Sequence, residues 1–577
     1  MASLDVTVRR KISLKEMRKH LEYLCSFDRT SGTEGEDRAV QYVVDQLKSW
    51  GVPVEVHEFQ AYLSNPVAAV VEVLGDGRRE LKAKTKSFSG ETLAEGVVGE
   101  VVYVPGGANM FRDFDTSGRL ESMQLKGKIV LSEGGGRQNM ITAQRGGAVG
   151  YIHMWPSNEE HIHEGMANPV WGTPTIETVS RLPELPVVTV NHASGAWLRG
   201  QVQKDPVTLR MFTKLEVGWY KLRLPVANIP GRSSQFVLAA GHIDSWHRGA
   251  TDNATGNTTC LELARVFWAQ RDRLERGVRI AWWPGHSNGR YAGSTWYADY
   301  AWQDLYDNCV AYLNIDSPGS LGATDYSVVT AMAENSAFAT GLVSELTSQT
   351  VAWERPERAG DQSFWGHGIP SIFMLLSNRP EGERAQVGGS GMGWWWHTEW
   401  DTLDKVEMKV QMLDTRIHAT AIARLATAKV LPYKMSDLAH ELDGLLVALA
   451  GKADGHFNLS SALQAASNFK TAAADFDAAA EAAARSERKR SVANDAMLAV
   501  LRMIVPVNYT VCGPFEHDPA VPLKPLPGLA RLAELPRLAG KTEYGFLKTY
   551  LLRQYNRVVW ALRDSTLMLE AALSEMG

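Results

Sequence analysis

Cysteine is scarce in this chain: 577 residues hold four, Cys25, Cys260, Cys309 and Cys512, with no close pair. That excludes a disulfide framework and a cysteine-based metal site, and it fits thiols kept reduced inside cores. An excess of either charge is missing too. Against 60 Lys and Arg stand 65 Asp and Glu, a net −5 that is too small at this length to attract nucleic acid or an anionic membrane. No apolar run approaches the roughly 20 residues of a spanning helix. The opening Met1-Ala2-Ser3-Leu4-Asp5 lacks a basic region followed by an apolar core, so no signal peptide is expected. No internal repeat is visible. The expectation is a cytoplasmic, soluble protein without a nucleic-acid or membrane partner.

What is present is enough apolar sequence for two to four domains. Ser13-Leu14-Lys15-Glu16 fits a helix capping box. Leu14, Met17, Leu21, Leu24 and Cys25 then share one helical face. A polar turn over 29–35 precedes a second helix that ends at Gly51, and 52–59 reads as a strand placed at an edge by Pro53. From 66 to 224, short β-like runs (68–74, 99–104, 128–131, 187–190) lie between Gly- and Pro-rich turns, with one helix at 140–145. Over 225–430 strands (236–241, 278–283, 310–315, 371–375) alternate with helices, the pattern of a mostly parallel sheet flanked by helices. Beyond 431 the chain is helical and alanine-rich. The charged run 485–490 reads as a solvated helix face, and the final helix offers Leu551, Tyr555, Val558, Leu562, Leu567 and Leu569 for packing. Three domains follow: 1–65 with 225–430, α/β; 66–224, inserted and β-rich; 431–577, helical.

The chemistry gathers at strand ends. Gly241-His242-Ile243-Asp244-Ser245-Trp246 continues into Thr251-Asp252-Asn253-Ala254-Thr255-Gly256, so one imidazole and two carboxylates emerge where a strand hands over to a helix. Asn314-Ile315-Asp316 and His397-Thr398-Glu399-Trp400-Asp401-Thr402 add a carboxylate and a second imidazole. Two imidazoles and two carboxylates from separate parts of one sheet edge make a pocket for one or two divalent ions, with an Asp able to bridge them.

In these motifs the chain resembles the co-catalytic zinc aminopeptidases and glutamate carboxypeptidase-like enzymes, a superfamily that includes the transferrin receptor. The resemblance implies that His242, Asp252 and Asp316 hold one ion, and that Asp252 and His397 share in the other. Asp244 becomes an orienting carboxylate behind the site. It also implies a protease-associated-like insert over 66–224, a helical domain used for dimerisation, hence a homodimer, and zinc as the expected metal.

One motif departs from the family, where the strand like 278–283 is followed by a Glu pair: a general base and a ligand of the second ion. Here the sequence runs Trp283-Pro284-Gly285-His286-Ser287-Asn288-Gly289-Arg290-Tyr291. The pair falls on His286-Ser287 counted from Trp283, and on Ser287-Asn288 counted back from Gly293-Ser294. No carboxylate stands at either place. His286 is either a proton shuttle, since imidazole titrates near neutrality, or a replacement ligand. A nitrogen-richer sphere also admits iron, cobalt or nickel.

The sequence therefore predicts a metal-dependent enzyme cleaving an amide or other C–N bond of a small amino-acid-like or peptide substrate, and not a standard aminopeptidase. The alternatives are a lyase-type enzyme at the same site and a non-catalytic, transferrin-receptor-like scaffold. Candidate residues are His286, Asp244 and Ser287 for catalysis, and His242, Asp252, Asp316, His397 and His286 for metal. His247 and Arg248 border the pocket or lie in a surface loop. The Trp394-Trp395-Trp396 run walls a pocket or packs in the core. His161, His163 and Trp171-Gly172-Thr173-Pro174 read first as a solvated loop, and Asp361 and Ser363 as substrate support.

Overall fold

The computed structural model describes residues 3–75, 78–106, 115–387 and 389–577; Met1 and Ala2 lie outside the described residues. Its spine is one mixed sheet. Phe236–His242 is buried along its whole length, which suits its unbroken apolar sequence. It pairs in parallel with Gly277–Trp283 on one side and Cys309–Asn314 on the other. Ser371–Ile372 extends the sheet beyond Cys309–Asn314. That last strand is shorter than the expected 371–375, because Phe373 turns left-handed at φ 58° and its N–H leaves for the Thr330 carbonyl. The α/β class expected from alternation is what the structure shows.

Two long strands, Val54–Val73 and Thr208–Ile229, pair antiparallel along their length and run from this sheet into the insert. The sequence pattern marks two pieces of the first, 52–59 and 68–74, and none of the second. Pro66 sits at a register shift, where a missing N–H costs nothing. The boundaries at 66 and 224 fall inside these continuous strands. Within the insert, Val97–Tyr103, Lys128–Ser132, Gly150–Met154 and Val187–Val190 are mutually parallel, flanked by helices Arg137–Arg145 and His192–Val202.

Ser13 does accept from the Glu16 N–H at 3.3 Å, but its own N–H donates to Glu262 Oε1 at 2.5 Å instead of closing a capping box. Leu14 is exposed whereas Met17, Leu21 and Leu24 are buried. The C-terminal region packs Met435–Ala453, Ser460–Ala483, Glu487–Tyr509 and Thr542–Met576. Ala462, Ala466, Ala473 and Ala480 are buried, and small side chains let helix axes approach closely. Leu551, Val558, Leu562 and Leu569 pack as expected. Leu567 does not; it is 61% exposed, on the outer face of the last helix. All four cysteines are free, and Cys25, Cys260 and Cys309 are buried. Among the described residues no helix is long and apolar enough to cross a membrane.

Candidate metal centre

Parallel pairing sets His242 beside Trp283 and Ala240 beside Asn314, so the residues leaving these strands converge at one edge. Asp252 follows in the turn that enters helix Thr255–Trp268. Gly256 is required there: a Cβ would stand 2.1 Å from Asn253 Oδ1 and 2.5 Å from the Ile315 carbonyl. Asn253 ties the two ligand loops together, donating to Ile315 O at 2.9 Å and accepting from the Ser317 N–H at 3.0 Å.

Asp252 lies between two imidazoles. Its Oδ1 is 3.1 Å from His242 Nε2 and its Oδ2 is 3.1 Å from His397 Nε2. Asp316 Oδ1 is 3.7 Å from His242 Nε2. His286 stacks on His242 with ring centroids 3.8 Å apart. Donor atoms of His242, His286 and Asp316 all lie within 4.8 Å of one another, a nitrogen and oxygen set that fits a divalent transition ion. The structure thus brings His286 to the His242–Asp316 side.

Each imidazole is held by its other nitrogen. His242 Nδ1 lies 3.0 Å from the Asp244 carbonyl, His397 Nδ1 3.2 Å from the Glu164 carbonyl, and His286 Nδ1 2.6 Å from Asp361 Oδ2. An Nδ1–H donated this way leaves Nε2 with its lone pair for a metal or a proton. Asp361 in turn accepts from Ser294 Oγ at 2.6 Å, and Ser294 meets Ser363 Oγ at 2.8 Å. Asp244 is a fully buried staple: it accepts from the N–H groups of His286 and Ser287 and from Ser31 Oγ. Ser287 contributes that N–H; it is not among the residues lining the cavity.

The electrostatics follow from burial opposed by close charges. Burial disfavours the His242 imidazolium, but Asp244, Asp252 and Asp316 outweigh it and hold its pKa well above the usual imidazole range. Burial likewise raises Asp252, and His242 and His397 overcome it to leave the carboxyl well below its ordinary value. Asp401 goes the other way. Burial, with Asp252 adding to it, pushes its carboxyl up to about 7, against donation from Thr251 N, Thr251 Oγ1 and Asp252 N.

Several supporting residues carried no sequence signal. Arg29, in the turn read as merely polar, is fully buried and donates to the carbonyls of Leu24, Ile243, Arg248 and Gly249. Glu36 accepts from the N–H groups of Gly32 and Gly285. From the insert, Glu164 fixes His397 through its carbonyl and accepts His247 Nε2 at 3.2 Å on its side chain. His163 is not in a solvated loop: it is 1% exposed, stacks on Trp155 and bonds the Trp396 carbonyl. His161 stacks against Trp394, and Trp171 is buried with its indole N–H on Ser363 Oγ. Of the tryptophan run, Trp395 is core, while Trp396 lines the cavity and stacks on His397 at 3.6 Å. The Arg248 carbonyl accepts from Arg29.

A cavity of about 360 Å³ opens over this constellation, lined by Asp252, His286, Asp316 and His397 on one side and by the insert on the other.

Comparison with known proteins agrees with the motif resemblance. Residues 226–419 match the family model for peptidase family M28. The chain is 27% identical over 331 residues to the probable lipoprotein aminopeptidase LpqL of Mycobacterium tuberculosis, covering 55% of this chain and 61% of that protein. It is 25% identical over 290 residues to the mouse aminopeptidase NAALADL1, covering 42% of this chain and 37% of that protein. Against the maize probable glutamate carboxypeptidase VP8 it is 22% identical over 344 residues, covering 50% of this chain and 48% of that protein. The chain thus spans under two thirds of the length of these curated relatives. Among solved structures, the aminopeptidase of Aneurinibacillus sp. strain AM-1 superposes with a TM-score of 0.56 at 22% identity, covering 73% of this chain and 96% of that one. A peptidase M28 precursor from Shewanella amazonensis gives 0.59 at 19% identity, covering 74% and 97%. The shared fold is that of the M28 aminopeptidases.

Proposed function

We propose that this chain is a metal-dependent hydrolase of a small peptide or amino-acid-like amide, working with a histidine where the family has its catalytic carboxylate. The observation that carries it is the convergence of Asp252, Asp316, His286 and His397 on one cavity, with His242 stacked on His286 and against Asp252, and each imidazole fixed through Nδ1. His242, Asp252 and Asp316 would hold the ion, three protein ligands with room for a substrate atom, as catalytic sites require. Bound there, zinc or a related ion supplies Lewis-acid polarisation of the scissile carbonyl and lowers the pKa of water. Among the described residues the other side of Asp252 offers His397 alone, which favours one filled position over two.

His286 then handles the proton. Asp361, 2.6 Å from Nδ1, fixes the ring and stabilises the imidazolium formed when Nε2 takes a proton. Nε2 returns that proton to the leaving nitrogen. Trp396 and the insert segment around Glu164 cover the cavity and limit water. The same Asp–His pair also suits abstraction of a proton beside a carbonyl, the lyase alternative.

The insert is read as protease-associated-like and the helical region as a dimerisation element. Phe546, Leu552, Trp560 and Leu567 stand exposed along the last helix, which supports a homodimer. Four unpaired thiols support a reducing, cytoplasmic setting.

The deciding experiment pairs metal analysis with a peptide and N-acyl-amino-acid panel. His286→Ala is expected to keep its metal and lose turnover, and His286→Glu to recover part of it. Loss of metal in His286→Ala makes His286 a ligand and sinks the base assignment. A wild-type protein that binds no transition metal, and melts unchanged in chelator, leaves only the scaffold alternative.

A further inference from the structure

Lys86 lines the cavity beside Arg137 and Arg290, and the three are 2%, 7% and 2% exposed. Carboxylates line the cavity too, among them Glu164, Glu354 and Glu357. Glu164 takes Lys84 at 2.9 Å and His247 at 3.2 Å, and Glu354 and Glu357 have interactions of their own. Among the described residues no carboxylate stands within salt-bridge distance of Lys86, Arg137 or Arg290. Arg137 hydrogen-bonds through Nε alone, to the Ala520 carbonyl at 2.6 Å; Arg290 reaches the same oxygen at 3.5 Å, and its Nε has no partner. The Lys86 Nζ makes no hydrogen bond among the described residues. It lies against Gly165, where a Cβ would stand 3.1 Å from it.

An ammonium so placed sheds its proton readily. Burial disfavours the charged form, and Arg137 adds repulsion that Glu164 only partly offsets, so the Lys86 group is pushed down to about 7. The remaining titratable neighbour, His153, gives no countercharge, because burial and Lys86 hold its imidazole well below the ordinary range. Near neutrality about half of the Lys86 side chains are then free amines with an open lone pair. The guanidiniums have the opposite need. Burial and Arg290 press Arg137 well below its ordinary range, a strain that an anion beside it would relieve. One wall of the cavity thus joins a nucleophilic nitrogen to two cations that lack an anion.

We propose that Lys86 is a carbamylation site: its Nζ adds carbon dioxide, and Arg137 and Arg290 hold the carbamate that forms. The amine lone pair attacks the carbon of carbon dioxide, one C=O π pair moves onto oxygen, and a proton leaves Nζ for water or bicarbonate. One C–N bond is made and nothing is oxidised or reduced. The planar carbamate presents two oxygens, the shape a guanidinium fork binds best. Gly165 keeps open the space against Nζ that any larger residue would fill. The modification turns three positive charges into a net of one, two guanidiniums against one carbamate. Carbon dioxide thereby sets the charge of a cavity that also holds Asp252, His286, Asp316 and His397. None of this depends on the reaction proposed above.

The test is carbon NMR of the full chain in isotope-labelled bicarbonate at about pH 8, where an amine titrating at about 7 is mostly neutral. Wild type is expected to show a protein-bound carbamate carbon, distinct from bicarbonate, that Lys86→Met and Lys86→Arg both lack. Lys86→Arg keeps the positive charge but not the nucleophile, so it is the folded control, checked by circular dichroism. Any signal from the α-amine persists in both variants and is subtracted. Arg137→Met and Arg290→Met should each lower carbamate occupancy about tenfold at subsaturating bicarbonate, the worth of one charge-assisted hydrogen bond. Bicarbonate should raise the melting temperature of wild type and leave both Lys86 variants unmoved. A wild-type spectrum identical to those of the Lys86 variants overturns the proposal, and occupancy unchanged in both arginine variants overturns the arginine pair as its holder. Chelation should leave the signal in place, so a chain that binds no metal and cleaves nothing still reports on the carbamate, and the two proposals fail separately.

Discussion

Arg29→Met tests how the metal-bearing loop is held. The guanidinium is completely buried and donates to four carbonyls, at 2.7 Å to Leu24 and Arg248, 2.9 Å to Gly249 and 3.1 Å to Ile243. Its own carbonyl accepts from the Ser245 N–H at 3.0 Å. Three of those four carbonyls belong to the segment between His242 and Asp252. Leaving a buried carbonyl unpaired costs about 1–3 kcal/mol, so four cost about 4–12 kcal/mol. Removing a buried guanidinium gives back several kcal/mol of desolvation. The remainder, about 3–5 kcal/mol, falls on the loop geometry and converts to at least a hundredfold loss of zinc affinity if the loop must be re-ordered to bind. Arg29→Lys is expected to rescue only part, because an ammonium has three donors for four carbonyls. Competition with a chromophoric chelator measures the affinity, and circular dichroism confirms folding. A folded Arg29→Met protein that binds zinc within about threefold of wild type would refute the assigned role.

Three further expectations follow from the same structure. Glu334 is fully buried with neither oxygen hydrogen-bonded, and burial raises its carboxyl from 4.5 to about 8. A folded pKa above the unfolded one means stability complete below pH 4.5 and lost as pH climbs through 8, about 5 kcal/mol in all; Glu334→Gln should flatten the fall in melting temperature over that window, and parallel profiles would contradict it. Gly256→Ala drives a Cβ against Asn253 Oδ1 and should cost about 1–3 kcal/mol and lower metal content, seen by elemental analysis of purified protein; full metal occupancy would count against the tight approach. Zinc uptake must expel the proton that Asp244, Asp252 and Asp316 hold on His242, so affinity should rise with pH, with about one proton released per ion near neutrality. Calorimetry in buffers of different ionisation enthalpy counts it, and no release would be inconsistent with His242 as a ligand.

The sequence disclosed what local order can encode. His242 and Asp252 stand out because a fully apolar strand ends on them and a helix begins after them. Asp316 is legible at the end of the apolar run before it, His397 through its motif, and the missing Glu pair as a gap in a motif. What stayed hidden acts across long separations. Arg29 lies 214 residues from the Ile243 carbonyl it holds, and His163 lies 233 from the Trp396 carbonyl it meets. Nothing in a polar turn or a His-x-His segment reports such partners. The two long strands were obscured for a simpler reason, since their one-sided burial and internal prolines imitate a series of short runs.

Those two strands bear on how a substrate gets in. From the Val54–Ala227 pair to the Val73–Leu209 pair they make a single ladder. The insert, which carries Glu164, Lys86 and Arg137, and the sheet that carries His242 and Asp316 are therefore the two ends of one beam rather than two plates on a string. The ladder slips between Pro66 and Ala68, and a slip of that kind bends a strand and raises its local twist, so the angle between the two ends is set by a few residues in the middle of the beam.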